Sequence, residues 1–207
     1  LTEGKLTFYG RNVSRLKTHD YSDLGIGRTF QTLRLLYDKT AVENVMLSYH
    51  KFAEKNMLRV IFRTKKFRKR EEEIREQALE KLNLVGCGDL ANRPVSGLTY
   101  FERRRTEIAR ALAVQPKLLL LDEPAAGLNP SETAELMDLI RRIRDQLSCS
   151  IIVIEHDMKM IMNLAERIVV FDHGEKISEG SPEEVKNDAL VIQSYLGVGY
   201  HAGTQKH

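Results

Sequence analysis

Two carboxylates stand side by side at the end of an apolar run. The run is Leu118–Leu121 and the acids are Asp122 and Glu123, within the stretch LLLLDEPAAGLNP. An acid at the end of a buried strand is costly unless a cation or hydrogen-bond donors compensate it. Adjacent carboxylates can hold a divalent metal and orient an attacking water. The pair therefore predicts a metal-assisted site and raises the question of which cation it serves.

A histidine follows the next apolar run of the chain. Residues 150–157, SIIVIEHD, predict a second strand, and His156 comes just past its end. Ligands of open parallel sheets bind beyond the carboxyl ends of the strands. We therefore expect Asp122, Glu123 and His156 to converge on one edge of the sheet, where they suit a metal-bound polyanion and a water. The alternative is that these residues merely cap their strands.

The segment that positions the acids has the order strand, helix, strand. Continuous apolar runs of strand length, here 117–123 and 150–157, are typical of parallel strands buried on both faces. Between them, Asn129 is a predicted helix cap, with Pro130 at the first helical position and Glu132 three residues after the cap. The unit predicts an α/β protein with a parallel sheet.

The remaining segments predict shorter elements. Residues 5–14, KLTFYGRNVS, alternate like a strand with a Tyr-Gly turn. Helical spacing is found in residues 40–49, 71–84 and 102–114. Residues 167–180 predict a hairpin that turns at His173 and Gly174. SPEEVKND begins a last helix, and residues 197–207 predict a frayed tail.

Composition limits the class of protein. The chain has 207 residues, 42% of them hydrophobic and 29% charged, enough for one core with or without a satellite lobe. Its apolar runs are too short to span a bilayer, and a net charge of +3 is too small to indicate nucleic acid by itself. Cys87 and Cys149 fit no metal spacing and predict free thiols in a reducing compartment.

The motifs resemble those of ATP-binding-cassette (ABC) ATPases, in the family's order. LLLLDEP is similar to the Walker B strand, AAGLNP to the D-loop, VIEHD to the switch-histidine segment, GRTFQ to the Q-loop, and GLTYFERRRTEIARALAVQP to the signature motif and its helix. The resemblance implies an α/β fold: a RecA-like P-loop NTPase core with a mostly parallel sheet, plus a helical ABC subdomain. It divides the chain into core residues 1–39, a helical subdomain 40–115 and core residues 116–207.

The resemblance implies ATP and Mg²⁺ as cofactors and assigns the site residues. Asp122 would support Mg²⁺, Glu123 would be the general base, and His156 would contact the γ-phosphate. Gln31 would be a magnesium ligand linked to the transmembrane partner. Further nucleotide contacts would come from the signature and the D-loop, namely Thr99, Tyr100, Phe101, Glu102, Gly127, Leu128 and Asn129. Positioned phosphates, neutralised charge and an in-line water are what ATP hydrolysis requires.

The resemblance also implies partners and a location. ABC ATPases act as dimers, homomeric or heteromeric, that move transmembrane permease subunits. Three segments are similar to those of ATPase subunits of branched-chain amino-acid importers: the sequence EPAAGLNP, the basic insert before Glu71 and the ending VIQSYLG. We expect a peripheral subunit on the cytoplasmic face of the membrane, which docks through the region after Gln31, with Arg34, Leu35 and Tyr37 in contact. Nucleic acid is not an expected partner.

One departure from the family concerns the phosphate-binding loop. The pattern G-x-x-x-x-G-K-[ST] does not occur in these 207 residues. Because every downstream catalytic position is kept, we expect the strand, loop and helix that carry it to precede Leu1. Two other classes of function stay open. One is a soluble ABC ATPase that acts on translation or DNA repair, and the other is a non-catalytic module that acts through protein partners.

A second departure lies in the signature, where Leu-Ser-x-Gly-Gln is replaced by Leu98-Thr99-Tyr100-Phe101-Glu102. Phe101 stands where a glycine would let a backbone amide approach the phosphate. Glu102 puts a carboxylate where an amide is usual; a like-charge contact at ~5 Å and an effective dielectric constant of ~20 costs about 3 kcal/mol. We expect weaker binding of the nucleotide phosphate that is held by the opposite subunit.

A basic segment allows a separate hypothesis. Seven of the twelve residues of Arg59–Arg70 are Lys or Arg, interleaved with Phe62 and Phe67. Basic and aromatic side chains together are typical of surfaces that bind RNA or anionic lipid. The simpler interpretation is a solvated helix whose cations pair with the glutamates that follow.

Overall fold

The structure is a computed structural model that describes residues 3–29, 33–52 and 65–196. It divides into two compact units, Leu1–Ile154 and Glu155–His207. Gln31, residues 59–64 of the basic segment and the predicted tail 197–207 lie outside the described residues.

The first unit contains a short hairpin and a parallel sheet. Tyr9 and Gly10 both have positive φ and connect the two strands of the hairpin, which confirms the predicted Tyr-Gly turn. The three parallel strands lie in the order Ile26–Arg28, Leu118–Asp122, Ser150–Ile154, so the predicted strand–helix–strand unit is present. The strands are β1 (Thr7–Phe8), β2 (Arg11–Asn12), β3 (Ile26–Arg28), β4 (Leu118–Asp122) and β5 (Ser150–Ile154).

The helices of the first unit begin where the sequence places capping residues. Thr40, Thr99 and Asn129 each accept a hydrogen bond from the backbone N–H of a glutamate three residues later, and that glutamate reaches back to the cap. The cap at Thr99 starts its helix two residues before the predicted boundary. The helices are α1 (Thr18–Asp23), α2 (Ala41–Met46), α3 (Lys65–Leu84), α4 (Tyr100–Leu112) and α5 (Pro130–Leu147). Shorter 3₁₀ turns occupy Leu47–Phe52, Gly88–Leu90 and Val95–Gly97.

The parallel sheet is more deeply buried on one face than on the other, so the prediction of two buried faces is met only in part. Leu119 and Leu121 of β4 point into the core and are fully buried. On the other face, Ile152 and Ile154 of β5 are 51% and 60% exposed. Continuous apolar runs are typical of strands covered on both sides, but in the described part of the chain this face is covered only in part, with Leu118 and Leu120 of β4 half-buried.

Helix α4 packs directly against β3. A Cβ atom built on Gly27 would lie 2.6 Å from the carbonyl oxygen of Ala111, near the C-terminal end of α4. Only glycine allows the two backbones to approach so closely. The helix that begins with the signature therefore ends against the strand that leads to Gln31.

The second unit is a small α/β arrangement around an antiparallel hairpin. His173 and Gly174, with φ of 45° and 85°, turn the hairpin as predicted. Asp157 and Ser181 cap helices in this unit, and the helix predicted from SPEEVKND is present. Its elements are α6 (Met158–Leu164), β6 (Ile168–Asp172), β7 (Glu175–Gly180), α7 (Pro182–Lys186) and α8 (Ala189–Val191), followed by a π turn, Ile192–Leu196.

Cys87 and Cys149 are both free and buried, as the sequence predicts for thiols without metal spacing. Burial raises the pKa of both thiols, because it disfavours the thiolate. Within the described residues, none of the helices combines the length and apolarity needed to cross a bilayer.

Candidate functional site

The carboxyl end of β4 carries the first predicted carboxylate. Asp122 is the last residue of β4 and pairs in register with Ile154 of β5. Its backbone N–H donates to Thr29 Oγ1 at 3.3 Å. Asp122 Oδ2 lies 3.2 Å from Nη2 of Arg28, at the end of β3. The acid that ends β4 thus has a cation on the neighbouring strand.

Glu123 occupies a backbone conformation that side chains rarely adopt. Its φ is +43°, in the left-handed region. Its N–H donates to the carbonyl oxygen of Ile154 at 2.9 Å, and its own carbonyl oxygen accepts from Ala126 at 3.2 Å. The chain turns at Glu123, so this half-buried side chain leaves the alternation of β4. Residues held in such conformations cluster at functional sites.

The acids fit one kind of metal site and not another. The described residues include no group of three His, Cys, Asp or Glu side chains able to hold a metal ion. Mg²⁺, however, is usually bound by one or two carboxylates together with substrate phosphates and water. Asp122 and Glu123 at one strand end therefore fit a magnesium ion that arrives with a nucleotide. They do not fit a metal centre made of protein ligands alone.

The loop after the acids is fixed at both ends. Leu128 donates its N–H to the carbonyl oxygen of Ala125 at 3.0 Å. Asn129 accepts from the N–H of Glu132 through Oδ1 at 3.0 Å, as the sequence predicts for the cap of α5. Gly127, at φ +80°, faces an aromatic ring: a Cβ atom built on it would lie 3.4 Å from Tyr100 Cε1. The predicted D-loop therefore contacts the predicted signature within one chain.

The signature residues Thr99 and Glu102 form the cap of α4. Thr99 N–H donates to Glu102 Oε2 at 2.7 Å, and Glu102 N–H donates to Thr99 Oγ1 at 3.2 Å. The carboxylate thus folds back onto the helix terminus, where an anion is favoured by the helix dipole. The sequence predicted only repulsion of phosphate by this carboxylate, whereas the structure also gives it a local stabilising role.

Phe101 is a core residue. Its side chain is buried, and the guanidinium carbon of Arg105 lies 4.5 Å from the centre of its ring. The side chain of Phe101 therefore lies in the protein interior, and its effect on phosphate contact stays a prediction. Its backbone amide stays in the first turn of α4, where anions bind.

His156 belongs to the second unit. Its N–H donates to Oε2 of Glu155 at 3.3 Å, and its Nδ1 lies 3.9 Å from the same oxygen. The Glu155 carboxylate is buried, whereas the imidazole is exposed. By sequence, His156 comes two residues after the end of β5, which itself pairs with Asp122. The role of His156 beside the acids stays a prediction.

The region after Gln31 is described from residue 33 onward. The prediction that Leu35 contacts a membrane partner is wrong, because only 6% of the surface of Leu35 is exposed. Leu36 and Tyr37 are 47% and 45% exposed, and Arg34 is exposed. The apolar contact offered at this surface is therefore Leu36, one position later than the sequence indicated.

Two residues that hold this region escaped the sequence analysis. Asn44 is fully buried in α2, and its Oδ1 accepts the N–H of Leu36 at 2.7 Å while its Nδ2 donates to the carbonyl oxygens of Leu36 and Thr40 at 3.0 Å. Arg103 of α4 lies over the ring of Tyr37, 5.5 Å from its centre. A polar Asn between Val42 and Val45 on the apolar side of a helix was the available signal.

The described part of the basic segment forms the start of α3. Lys65 and Lys66 are exposed, and Arg70 pairs with Glu73 at 2.9 Å between Nη1 and Oε2. This pairing with a following glutamate agrees with the interpretation of a solvated, charge-paired helix.

The fold is that of a known class of protein. The structure matches the ATP-binding cassette MJ1267 in its ADP conformation with a TM-score of 0.77 and 27% identity, over 94% of this chain and 77% of that chain. A post-hydrolysis dimer of the cassette MJ0796, bound to ADP and Pi, matches with a TM-score of 0.70 and 26% identity, over 87% and 74%. The predicted α/β P-loop NTPase class, with its parallel sheet and helices, is confirmed.

Sequence comparison then identifies the family. The family described as "ABC transporter" matches residues 1–126, and "Branched-chain amino acid ATP-binding cassette transporter" matches residues 175–201. The branched-chain amino acid transport ATP-binding protein BraF of Pseudomonas aeruginosa is 40% identical over 95% of this chain and 77% of its own length. LivG of Escherichia coli (strain K12) is 38% identical over the same shares. The chain belongs to the ABC transporter family, as an ATP-hydrolysing transporter subunit.

Proposed function

We propose that this chain is the ATPase subunit of an importer of branched-chain amino acids. The observation that carries the proposal is the carboxylate pair Asp122–Glu123, held at the carboxyl end of β4, in a chain whose relatives BraF and LivG are named for that transport. The match of residues 175–201 to the branched-chain cassette family supports the same solute class.

The roles of the acids follow from their positions. When bound, Mg²⁺ would supply neutralisation of the charge on the triphosphate. Asp122 would hold the metal's coordination shell, and Gln31 would complete it. Glu123 would orient the attacking water and accept its proton, which is the role of a general base. His156 would contact the γ-phosphate.

The second half of each nucleotide site would come from a partner ATPase subunit. The first turn of α4 offers backbone N–H groups and the Thr99 hydroxyl, which suit a phosphate. Tyr100, Phe101 and Glu102 would contribute their backbones, with the residues Gly127, Leu128 and Asn129 facing the same interface. The dimeric cassette MJ0796 supports this arrangement.

The transmembrane partner would dock on the surface formed by Arg34, Leu36 and Tyr37. These side chains are exposed, yet the backbone beneath them is held by the buried Asn44. A rigid surface with apolar and aromatic side chains suits an interface core. We place the subunit at the cytoplasmic face of the membrane, as a peripheral protein with a helical subdomain over residues 40–115.

The test is uptake by the intact protein reconstituted with its permease subunits in vesicles that contain Mg-ATP. We expect uptake of labelled leucine, isoleucine and valine, with ATP turnover that rises when solute is supplied. Glu123→Gln should lower ATP turnover by about 10²–10⁴-fold, the usual contribution of a general base. The matched control is Glu135→Gln, which neutralises an exposed carboxylate on α5.

Two results would overturn the proposal. Uptake of a different solute class, with none of the branched-chain amino acids, would remove the assigned substrate. Unchanged ATP turnover in Glu123→Gln would contradict the assigned chemistry, because Glu123 is the residue assigned to accept the proton of the attacking water.

A further inference from the structure

Helix α4 carries three charged residues on one buried face. Arg104 and Glu107 are fully buried, and Arg104 Nη1 lies 3.1 Å from Glu107 Oε2. Arg110 Nη2 lies 3.8 Å from Glu107 Oε1. Spacing of three residues places all three side chains along one side of the helix. Together they form a charged run, Arg104–Glu107–Arg110, that passes through the core.

One end of the charged run reaches the signature and the loop beside the acids. Arg104 Nη2 donates to the hydroxyl of Tyr100 at 3.1 Å, and the guanidinium carbon of Arg104 lies 5.8 Å from the centre of the Tyr100 ring. The same ring faces Gly127, where a Cβ atom would come within 3.4 Å. The Tyr100 side chain that Arg104 contacts therefore lies beside Gly127.

The other end of the charged run reaches the segment that follows Gln31. Arg110 Nη1 donates to the backbone carbonyl oxygen of Arg34. Burial lowers the pKa of Arg110, and the nearby Glu107 carboxylate opposes that shift. The Arg110 side chain is 17% exposed and lies beside the buried Glu107 carboxylate. Arg34 itself belongs to the exposed docking surface, together with Leu36 and Tyr37.

A buried ion pair beside a third, partly exposed charge is a costly way to fill a core. Desolvation of a buried ion pair can exceed the attraction it gains, and apolar residues of similar volume are often as stable or more so. The retained charges are directional, however, and fix the distance and angle between the groups that they join. What they join here is the loop at Gly127 and the backbone at Arg34.

We propose that Glu107 is a positioning residue that couples the D-loop at Gly127 to the docking segment 33–37. Through Arg104 it fixes Tyr100 over Gly127, and through Arg110 it fixes the Arg34 carbonyl. A displacement at either end is then transmitted along the rigid helix α4. The assignment of the two ends to a partner ATPase and a permease rests on the proposed function, whereas the linkage itself does not.

The test follows backbone amide exchange in the intact ATPase subunit, with and without Mg-ATP, in a Glu123→Gln background that prevents turnover. The probes are two backbone amides: Leu36 N–H, which donates to Asn44 Oδ1, and Lys39 N–H, which donates to the carbonyl oxygen of Leu36. Coupling between sites is typically fivefold or more. We therefore expect nucleotide to change exchange at these amides by at least about fivefold.

Two variants break the charged run and do not alter Asp122 or residue 123 further. Tyr100→Phe removes the hydroxyl at one end, and the pair Arg104→Met, Glu107→Met replaces the buried charges by apolar chains of similar length. In both, the nucleotide-dependent change at Leu36 and Lys39 should fall below about twofold. The matched control is Thr106→Val, which deletes a buried hydroxyl of α4 that donates instead to Glu102; it should keep the wild-type response.

The outcomes separate the inference from the proposed function. The inference is overturned if Tyr100→Phe leaves the response undiminished, or if the Glu123→Gln parent shows no nucleotide-dependent response. If the double variant does not fold, Tyr100→Phe against Thr106→Val decides. The exchange measurement uses neither permease nor amino acid. A failure of branched-chain uptake with the coupling intact would therefore count against the proposed function alone.

Discussion

Arg28 Nη2 and Asp122 Oδ2 lie 3.2 Å apart across neighbouring strands, although 94 residues separate them in sequence. The carboxylate proposed to support Mg²⁺ therefore has a guanidinium beside it before any metal arrives. A cation on the protein and a cation on the nucleotide would compete for the same oxygens. Arg28 is thus expected to set how much magnesium the ATPase requires.

The first prediction is that Arg28→Gln lowers the magnesium concentration for half-maximal ATP turnover. Exposed ion pairs contribute at most about 1 kcal/mol, so we expect a decrease of no more than about fivefold. The measurement is ATP turnover against free Mg²⁺ at fixed ATP. Arg141→Gln is the control, because it breaks another exposed pair, with Asp138, on α5. An increased requirement would instead make Arg28 a ligand of the phosphates.

The second prediction concerns the altered signature. Glu102→Gln keeps an acceptor for the cap of α4 while it removes a negative charge from the helix terminus. We expect a slightly lower melting temperature, because the anion favoured at the helix terminus is gone. ATP-dependent dimers should be tighter by up to about a hundredfold, because a like-charge contact of about 3 kcal/mol is removed. The measurement is light scattering in a Glu123→Gln background. Dimers no tighter than before would show that Glu102 does not face phosphate.

Phe101→Gly tests how much the packing of the same helix in the core contributes to stability. Removal of a buried aromatic side chain costs about 3–5 kcal/mol, and glycine weakens the first turn further. We expect a large loss of stability in chemical denaturation rather than tighter dimers. A variant of unchanged stability would contradict the burial of Phe101.

Features set by neighbouring residues were predicted correctly from the sequence. The cap of α5 needs only Asn129, Pro130 and Glu132, and the hairpin turn needs only His173 and Gly174, because each is decided within a few residues. The order of motifs likewise indicated the fold class, which the comparisons confirm.

Features set by distant residues were not predictable. The partner of Asp122 lies on another strand, and apolar type alone could not tell that Leu35 is buried while Leu36 is exposed. Phe101 was compared with a glycine of the family motif, but its side chain found space in the core. Tertiary packing decides such positions, and spacing along one chain carries no record of it.

The fourth prediction concerns Asn44, whose side chain is hydrogen-bonded to the backbone of the docking surface. Asn44→Leu would leave the N–H of Leu36 without its side-chain partner, which costs about 1–3 kcal/mol, and would remove one hydrogen bond to the Leu36 carbonyl oxygen, about 1 kcal/mol, because Lys39 N–H still donates to that oxygen. We expect a loss of about 2–4 kcal/mol in the free energy of unfolding, and weaker association with permease subunits. Asn187→Leu, at an exposed position, should change stability by no more than about 0.5 kcal/mol. Equal effects of the two substitutions would contradict this role.

The last prediction concerns pH. The backbone N–H of Thr40, and then its hydroxyl, hold the pKa of the Glu43 carboxyl below its ordinary value. A carboxyl with a lowered pKa in the folded state stabilises the protein above its unfolded pKa, and this contribution is lost as pH falls through the folded pKa. Glu43→Gln keeps the cap but cannot ionise. Its melting temperature should therefore lie below that of the unsubstituted protein at pH 7, and the difference should shrink as pH falls below about 4. Thermal melts of both proteins across this range measure the difference, and a difference that stays constant with pH would show that the Glu43 charge does not stabilise α2.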